Sequence, residues 1–345
     1  MGMTKVLVTG GAGFIGSNFV RYGLKHHLNW HITTLDALTY AGRRETLHDV
    51  LDHPRHVFVH GNIMDAAVVD PLVQDADIVV HFAAETHVDR SIQSAASFIQ
   101  TDVIGTFVLL EAARHNPTLQ RFVQISTDEV YGSVTTGKSQ ETDALMPRNP
   151  YAASKAAADR LAYSYWATYE VPVIITRASN NYGPYQFPEK LIPLFITKAL
   201  GGDTVPLYGD GLNVRDWLHV EDHCHAIDVL LRVGTNGETY NIGGGNEVTN
   251  LDLTHRILAL LKLPTTRIRS VADRLGHDRR YALGTAKLRS LGWQPQHVSF
   301  SAALEETVNW YVREQWWWRP LITKKVRHCP SGDYLARPYR WSGAS

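Results

Sequence analysis

Thr9-Gly10-Gly11-Ala12-Gly13-Phe14-Ile15-Gly16 (TGGAGFIG) decides the fold. It follows a short β-branched run, Lys5 to Thr9 (KVLVT), and opens a helical stretch from about Ile15 to Lys25. Gly11, Gly13 and Gly16 satisfy G-x-G-x-x-G. Between a strand and a helix, those glycines permit a tight turn, close approach of backbone to a diphosphate, and packing of helix on strand. The helix N-terminus favours the negative charge of such a ligand. Asp36 lies 20 residues after Gly16, closing a second strand, Ile32 to Leu35. A carboxylate there accepts a hydrogen bond from a ribose 2′-hydroxyl and repels a 2′-phosphate. The pattern therefore predicts a dinucleotide site with NAD favoured over NADP, Arg43 and Arg44 being the opposing signal.

Working outward, His56 to His60 (HVFVH), Ile78 to Ala83 (IVVHFA), Phe122 to Ser126 and Val173 to Arg177 complete about six strands. Continuous apolar runs separated by helices indicate a parallel sheet covered on both faces. In GTFVLLEAAR, Val108, Leu109 and Ala112 form a stripe at helical spacing, which is core packing. Asn180 to Pro188 (NNYGPYQFP) suits a loop, and a helix is expected from Ile192 to Leu200. The predicted fold is α/β: a Rossmann-type doubly wound parallel sheet with a smaller C-terminal α/β substrate domain. Residues 1–179 form the first part, 180–330 the second, and 331–345 a tail. The segment from about 217 to 243 is expected to return to the first part.

Lys+Arg and Asp+Glu both total 34, so nothing in the net charge points to nucleic acid or an anionic membrane. No signal peptide is apparent and no stretch is read as a membrane span. Cys224 and Cys329 show no CxxC spacing, which excludes a disulfide framework and fits a reducing, cytoplasmic setting. His223 and His225 are the densest histidine pair, but no third ligand completes a site, so no metal is expected. Trp316, Trp317 and Trp318 cannot all face one core, so part of that run is expected against the body or a second subunit.

Tyr151 and Lys155 form Y-x-x-x-K on an Ala-rich helical stretch, one turn apart on one face. A phenol is a poor base near neutrality, and an adjacent ammonium together with an oxidised nicotinamide would stabilise the phenolate. With 15 tyrosines in 345 residues the spacing arises readily by chance; its weight comes from following the Gly-rich turn and a fifth strand. That strand ends in Ser126-Thr127-Asp128-Glu129. Ligands of open α/β sheets bind beyond the carboxyl ends of strands, so Asp128 and Glu129 are expected beside Tyr151. A solvated loop also carries acids, but paired carboxyls with separated pKa values can serve as acid and base.

TGGAGFIG, HFAAETHVDRS, STDEVYG, PYAASK, RASNNYGPYQFPEKLIP and NVRDWLHV together resemble the extended short-chain dehydrogenase/reductases, and among them most the dTDP-glucose 4,6-dehydratases. The resemblance runs from about Lys5 to about Trp310. Thr127-Asp128-Glu129 is its most specific piece, since related epimerases lack the acidic couple. It implies an NAD-dependent lyase in which Tyr151, assisted by Lys155 and with Thr127 on the same oxygen, takes the 4-hydroxyl proton of the sugar. Glu129 takes the C5 proton and Asp128 protonates the departing 6-hydroxyl. It implies a cofactor site of Gly10, Gly11, Gly13, Phe14, Ile15, Gly16, Asp36, Ala37, Leu38 and Thr39. Asn62, Ile63, Phe82, Ala83, Ala84, Thr101 and Asn181 join them, with Tyr151 and Lys155. Sugar-nucleotide contacts would come from Thr86, Thr127, Asn180, Lys190, Leu191, Pro206, Leu207 and Tyr208. Arg215, Asn250, Asp273, Arg274 and His277 complete that set, with Arg215 and Lys190 suited to a diphosphate. A homodimer is also implied.

Two positions depart from the family pattern: Leu275 stands where Pro is usual, and Asn62 where Asp is commoner. The alternatives are another sugar-nucleotide dehydratase, a 4-epimerase acting on UDP-glucose, and a non-catalytic dinucleotide sensor. An epimerase has no use for the acidic couple, and a sensor none for Tyr151 and Lys155.

Overall fold

The computed structural model describes residues 2–273 and 275–325. Twelve strands are assigned there. They are β1 (Thr4–Thr9), β2 (Trp30–Asp36), β3 (His56–His60), β4 (Ile78–His81), β5 (Arg121–Thr127) and β6 (Val173–Ala178), then β7 (Asn180–Tyr182), β8 (Val205–Tyr208), β9 (Val214–His219), β10 (Thr239–Ile242), β11 (Glu247–Thr249) and β12 (Ile268–Val271). Seven form one parallel sheet in the order β10-β6-β5-β4-β1-β2-β3. The order reverses direction beside β1, so the loops after β1 and β4 diverge and leave a crevice at the carboxyl ends.

The central strands are mostly apolar because both faces are covered. Leu7, Leu35, Val79 and Phe122 face one core, into which the helices Ala66–Gln74, Ala96–Arg114 and Pro150–Tyr169 insert Val69, Leu109 and Ala162. Val6, Val8, Ile32 and Val80 face the other, against Phe19 and Val20 of the helix Phe14–His26 and Ile227 of Val220–Val233. One helix, Ala96–Arg114, has the length and apolarity of a spanning segment, which the sequence reading did not anticipate. Its Leu109, Leu110, Ala112 and Ala113 are core residues of the sheet.

The remaining strands build a smaller body. β9 lies between β7 and β11, and β8 pairs with β12. The start of the Asn180–Pro188 segment is thus a short strand, where a loop was expected; parallel pairing with β9 fixes it. β10 rejoins the large sheet beside β6 and gives it a seventh strand. Trp317 and Trp318 are buried in the core of the smaller body with Phe195, Trp217 and Tyr311, while Trp316 is 48% exposed. The tail 331–345, with Trp341, lies outside the described residues, as do Cys329 and Arg274.

Candidate active site

A cleft runs along the carboxyl ends of the parallel strands, between the two bodies. At one end is the Gly-rich turn. Gly10 has φ +70, and a Cβ there would lie 2.6 Å from the Ala83 nitrogen. Gly13 is the N-cap of the first helix, which has no side-chain cap and no acid in its first turn, so its leading N–H groups are open to an anion. Asp36 is buried, and its two carboxylate oxygens accept from the N–H groups of Ala12 (2.9 Å) and Leu38 (2.8 Å). Burial pushes its pKa up against those bonds.

Gly10, Gly13, Phe14, Ile15, Gly16, Asp36, Ala37 and Thr39 all face the cleft. So do Asn62, Ile63, Phe82, Ala83, Ala84, Thr101 and Asn181. Two expected cofactor residues do not. Gly11 packs against the Thr34 side chain, where a Cβ would meet Cγ2 at 2.6 Å; its role is to let the turn sit on β2. Leu38, at φ 49, packs against the apolar core beneath the sheet. Asn62 spends Oδ1 on the Met64 N–H (2.9 Å), which leaves its amide nitrogen toward the cleft.

Farther along, β5 delivers Thr127, whose Oγ1 accepts from the Glu129 N–H (3.3 Å) and so caps the turn Asp128–Tyr131. That cap directs Asp128 and Glu129 to the cleft. Asp128 is buried, its Oδ1 accepts from Thr127 (3.2 Å), and its Oδ2 has no partner. Burial, then the charge of Glu129, hold Asp128 well above the usual carboxylate range, so it is poised to donate a proton. Glu129 Oε2 accepts from Asn149 Nδ2 (3.1 Å) and faces the Tyr281 hydroxyl (3.5 Å).

Tyr151 and Lys155 occupy the first turns of Pro150–Tyr169, started by Pro150 and by Asn149, whose Oδ1 accepts from the Ala152 N–H (2.8 Å). Both face the cleft and both are buried. Lys155 Nζ donates to the Ile125 carbonyl (2.6 Å), and burial lowers its pKa against the pull of Asp102 and Asp159. In the chain alone the Tyr151 phenol is raised and not lowered: burial leads, and the charges of Glu129, Asp102 and Asp128 add to it, with a hydrogen bond to Thr127 opposing. Burial and these acids work against the phenolate, for which the sequence asks Lys155 together with an oxidised nicotinamide.

Thr86, Asn180 and Lys190 also reach the cleft, with Lys190 Nζ donating to the Thr86 carbonyl (2.5 Å). Thr127 of that set lines it too; among the described residues the other expected sugar-nucleotide contacts do not. Arg215 lies 4.4 Å over the Tyr281 ring and donates to the carbonyls of Val214 and Asp278, close enough to Asp128 to lower it. Leu207 is buried under its strand against Gly211, and Leu191 packs against the core of the smaller body. Pro206 lies on β8, and Asn250 is buried with Oδ1 unpartnered. Tyr208 is partly exposed, not core, beside Asp89 (3.5 Å) and His277, which pairs with Asp273 (2.6 Å). Leu275 is exposed.

Other residues come into view only in three dimensions. Tyr40 lines the cleft and donates to Glu189 (2.8 Å), and Glu85, Phe187 and His223 line it too. Asp102 accepts from Ser154 Oγ (2.6 Å) and the Glu85 N–H (2.8 Å) in a π-helical stretch, Ile99–Gly105. His223 donates to Asn181 (2.9 Å) and does not converge with His225; His219, Glu221 and His297 do approach one another, with His297 held by Asp222.

A model of the GDP-mannose 4,6 dehydratase family matches residues 7–307. A dTDP-glucose 4,6-dehydratase of Streptomyces niveus is 53% identical, over 95% of this chain and 99% of its own. The chain belongs to the dTDP-glucose 4,6-dehydratase family. A protein of Haloferax volcanii named for low-salt glycan biosynthesis is 55% identical over 89% of this chain and 98% of its own. The crystal structure of a dTDP-glucose 4,6-dehydratase from Streptomyces venezuelae, with NAD and TYD bound, superimposes with a TM-score of 0.89 at 51% identity, covering 92% of this chain and all of the other.

Proposed function

We propose that the protein is a hydro-lyase that uses NAD to convert dTDP-glucose to its 4-keto-6-deoxy derivative, by oxidation at C4, loss of water across C5–C6 and reduction at C6. The observation that carries this is the meeting of a neutral-leaning Asp128, its Oδ2 unpartnered, with Glu129, Thr127 and Tyr151 in one cleft. Loss of water across C5–C6 needs a base at C5 and an acid at C6, and a C4 epimerisation needs neither of these two.

The dinucleotide fits the residues present. Gly13 and the uncapped helix N-terminus would take the diphosphate, Asp36 the adenosine ribose, and Asn62 and Ile63 the adenine. When bound, NAD supplies a hydride acceptor that is restored within the turnover and, oxidised, a positive charge toward Tyr151. Tyr151 accepts the 4-hydroxyl proton while Thr127 hydrogen-bonds the same oxygen. Lys155 holds a buried positive charge on the helix face below. Glu129, oriented by Asn149, removes the C5 proton that the new ketone has made acidic and returns it to C5 when C6 is reduced. Asp128 gives its proton to the leaving 6-hydroxyl.

A homodimer and a cytoplasmic location belong to the same proposal. Ile99, Ile104 and Phe107 are exposed along the outer side of Ala96–Arg114, which packs beside Pro150–Tyr169. A second copy would cover that apolar strip. Cys224 is a buried free thiol, as suits a reducing compartment.

The test is incubation of purified protein with dTDP-glucose or UDP-glucose without added NADH. A 4-keto product lighter by one water, formed faster from dTDP-glucose, is expected. A galactose nucleotide, or no reaction with either, overturns the proposal.

A further inference from the structure

The tryptophan run has no part in the chemistry described, yet its middle member bonds Arg43 and Thr46, just beyond the segment that walls one end of the cleft. Trp317 is buried in the core of the smaller body. Its indole N–H donates out of that core to Thr46 Oγ1 (3.3 Å), and its carbonyl accepts from Arg43 Nη1 (3.3 Å). The Arg43 backbone N–H in turn donates to the Ala12 carbonyl (3.1 Å), inside the Gly-rich turn.

A second set of contacts clamps the same segment. Arg21, on the first helix, bonds the Thr46 carbonyl and pairs with Asp49 (2.6 and 2.9 Å). Its guanidinium lies 4.0 Å over the Tyr185 ring, whose edge meets Trp317 at 5.5 Å between centroids. Trp316 sets its own ring edge-on against His48 (4.8 Å).

Between Asp36 and Arg43 runs the segment that walls the cleft with Ala37, Thr39, Tyr40, Ala41 and Gly42. It has no helix or strand ladder of its own. Ordering each such residue costs about 1–2 kcal/mol of backbone entropy, so its shape depends on where its ends are fixed. β2 fixes one end, and Arg43–Thr46 against Trp317 fixes the other.

We infer that Trp317 is a positioning residue for the cofactor: through Thr46 and Arg43 it sets the wall around the adenosine ribose, so dinucleotide retention depends on the C-terminal helix. The inference rests on the NAD reading above. It predicts an effect confined to the cofactor, because the Trp317 contacts lead to the nucleotide end and not to Tyr151 or the acids.

The experiment compares full-length wild type, Trp317→Phe, which keeps a ring and loses the N–H, and Thr46→Val, which removes the acceptor at constant volume. NAD binding is titrated, and KM for dTDP-glucose and kcat are measured at saturating NAD. Both variants should bind NAD about tenfold more weakly, with KM and kcat within about twofold of wild type. Thr46→Val covers the case in which the core substitution prevents folding. Folded variants that bind NAD like wild type, or that lose sugar-nucleotide affinity instead, overturn the inference alone. A wild type that takes up no NAD overturns the cofactor reading, and this inference with it.

Discussion

Asn149 donates through Nδ2 to Glu129 Oε2 at 3.1 Å, while its Oδ1 caps the helix that carries Tyr151. One amide thereby ties the position of the proposed C5 base to that of the proposed C4 base. Asn149→Asp keeps the cap and sets a second carboxylate against Glu129; Asn149→Ala loses both bonds. The Ala variant should lose about 1 kcal/mol of stability, and the Asp variant little, by thermal or urea unfolding. Both should lose kcat. An Asp variant with wild-type kcat would show that the amide serves the helix alone.

Glu129→Gln should stop elimination and leave C4 oxidation measurable. Reduced cofactor then accumulates in a single turnover, seen in its near-ultraviolet absorbance. Overall kcat should fall by about 10²–10⁴-fold, the usual worth of a general base. Asp128→Asn should also slow release of water, without impairing C4 oxidation. Equal loss of oxidation and elimination in both variants would contradict this division of roles.

Asp102 ionises at about 6, above the ordinary aspartate value, because burial outweighs the ammonium of Lys155 and the Ser154 hydroxyl. Between about pH 4 and 6 the folded protein keeps a proton that the unfolded chain has lost, so this group's contribution to stability falls as pH rises. Asp102→Asn removes that slope, and its thermal midpoint relative to wild type should rise across the window. It also removes a negative charge that raises Tyr151. The acid limb of kcat/KM should therefore move to lower pH, and a limb that stays in place would count against this coupling.

Arg177 on β6 pairs with Asp159 through two bonds, 2.8 and 3.1 Å, with both groups buried. Arg177 also donates to the Tyr131 hydroxyl (2.7 Å). The pair pins the Tyr151 helix to the sheet. Asp159→Ala leaves a buried guanidinium short of its counter-charge and should cost about 3–5 kcal/mol in urea unfolding. Loss below 1 kcal/mol would mean that the helix is held by packing alone.

Much of this was legible in one dimension because its causes are local. The turn at Gly10 to Gly16 follows from backbone geometry, and the strands from apolar runs that need two covered faces. Thr127, Asp128 and Glu129 were placed by lying at the end of β5. What stayed hidden depends on partners far along the chain. Tyr281 meets Glu129 across 152 positions, and Asp102 meets Ser154 across 52. Gly11 looked like a ligand contact because three glycines fit the spacing, whereas Gly10, Gly13 and Gly16 are those that face the cleft. The contacts of Arg215 with the Tyr281 ring and the Asp278 carbonyl likewise span more than 60 positions and leave no local signal.

The return of β10 to the edge of the large sheet limits how such a chain can be rearranged. A fragment cut after Ser179 would lack that strand and the helix Val220–Val233, whose Cys224, Ile227 and Leu231 complete one face of the core. Neither body is a cassette that recombination could exchange whole. A substrate-binding part could be exchanged only with the strand and helix that close the nucleotide-binding sheet.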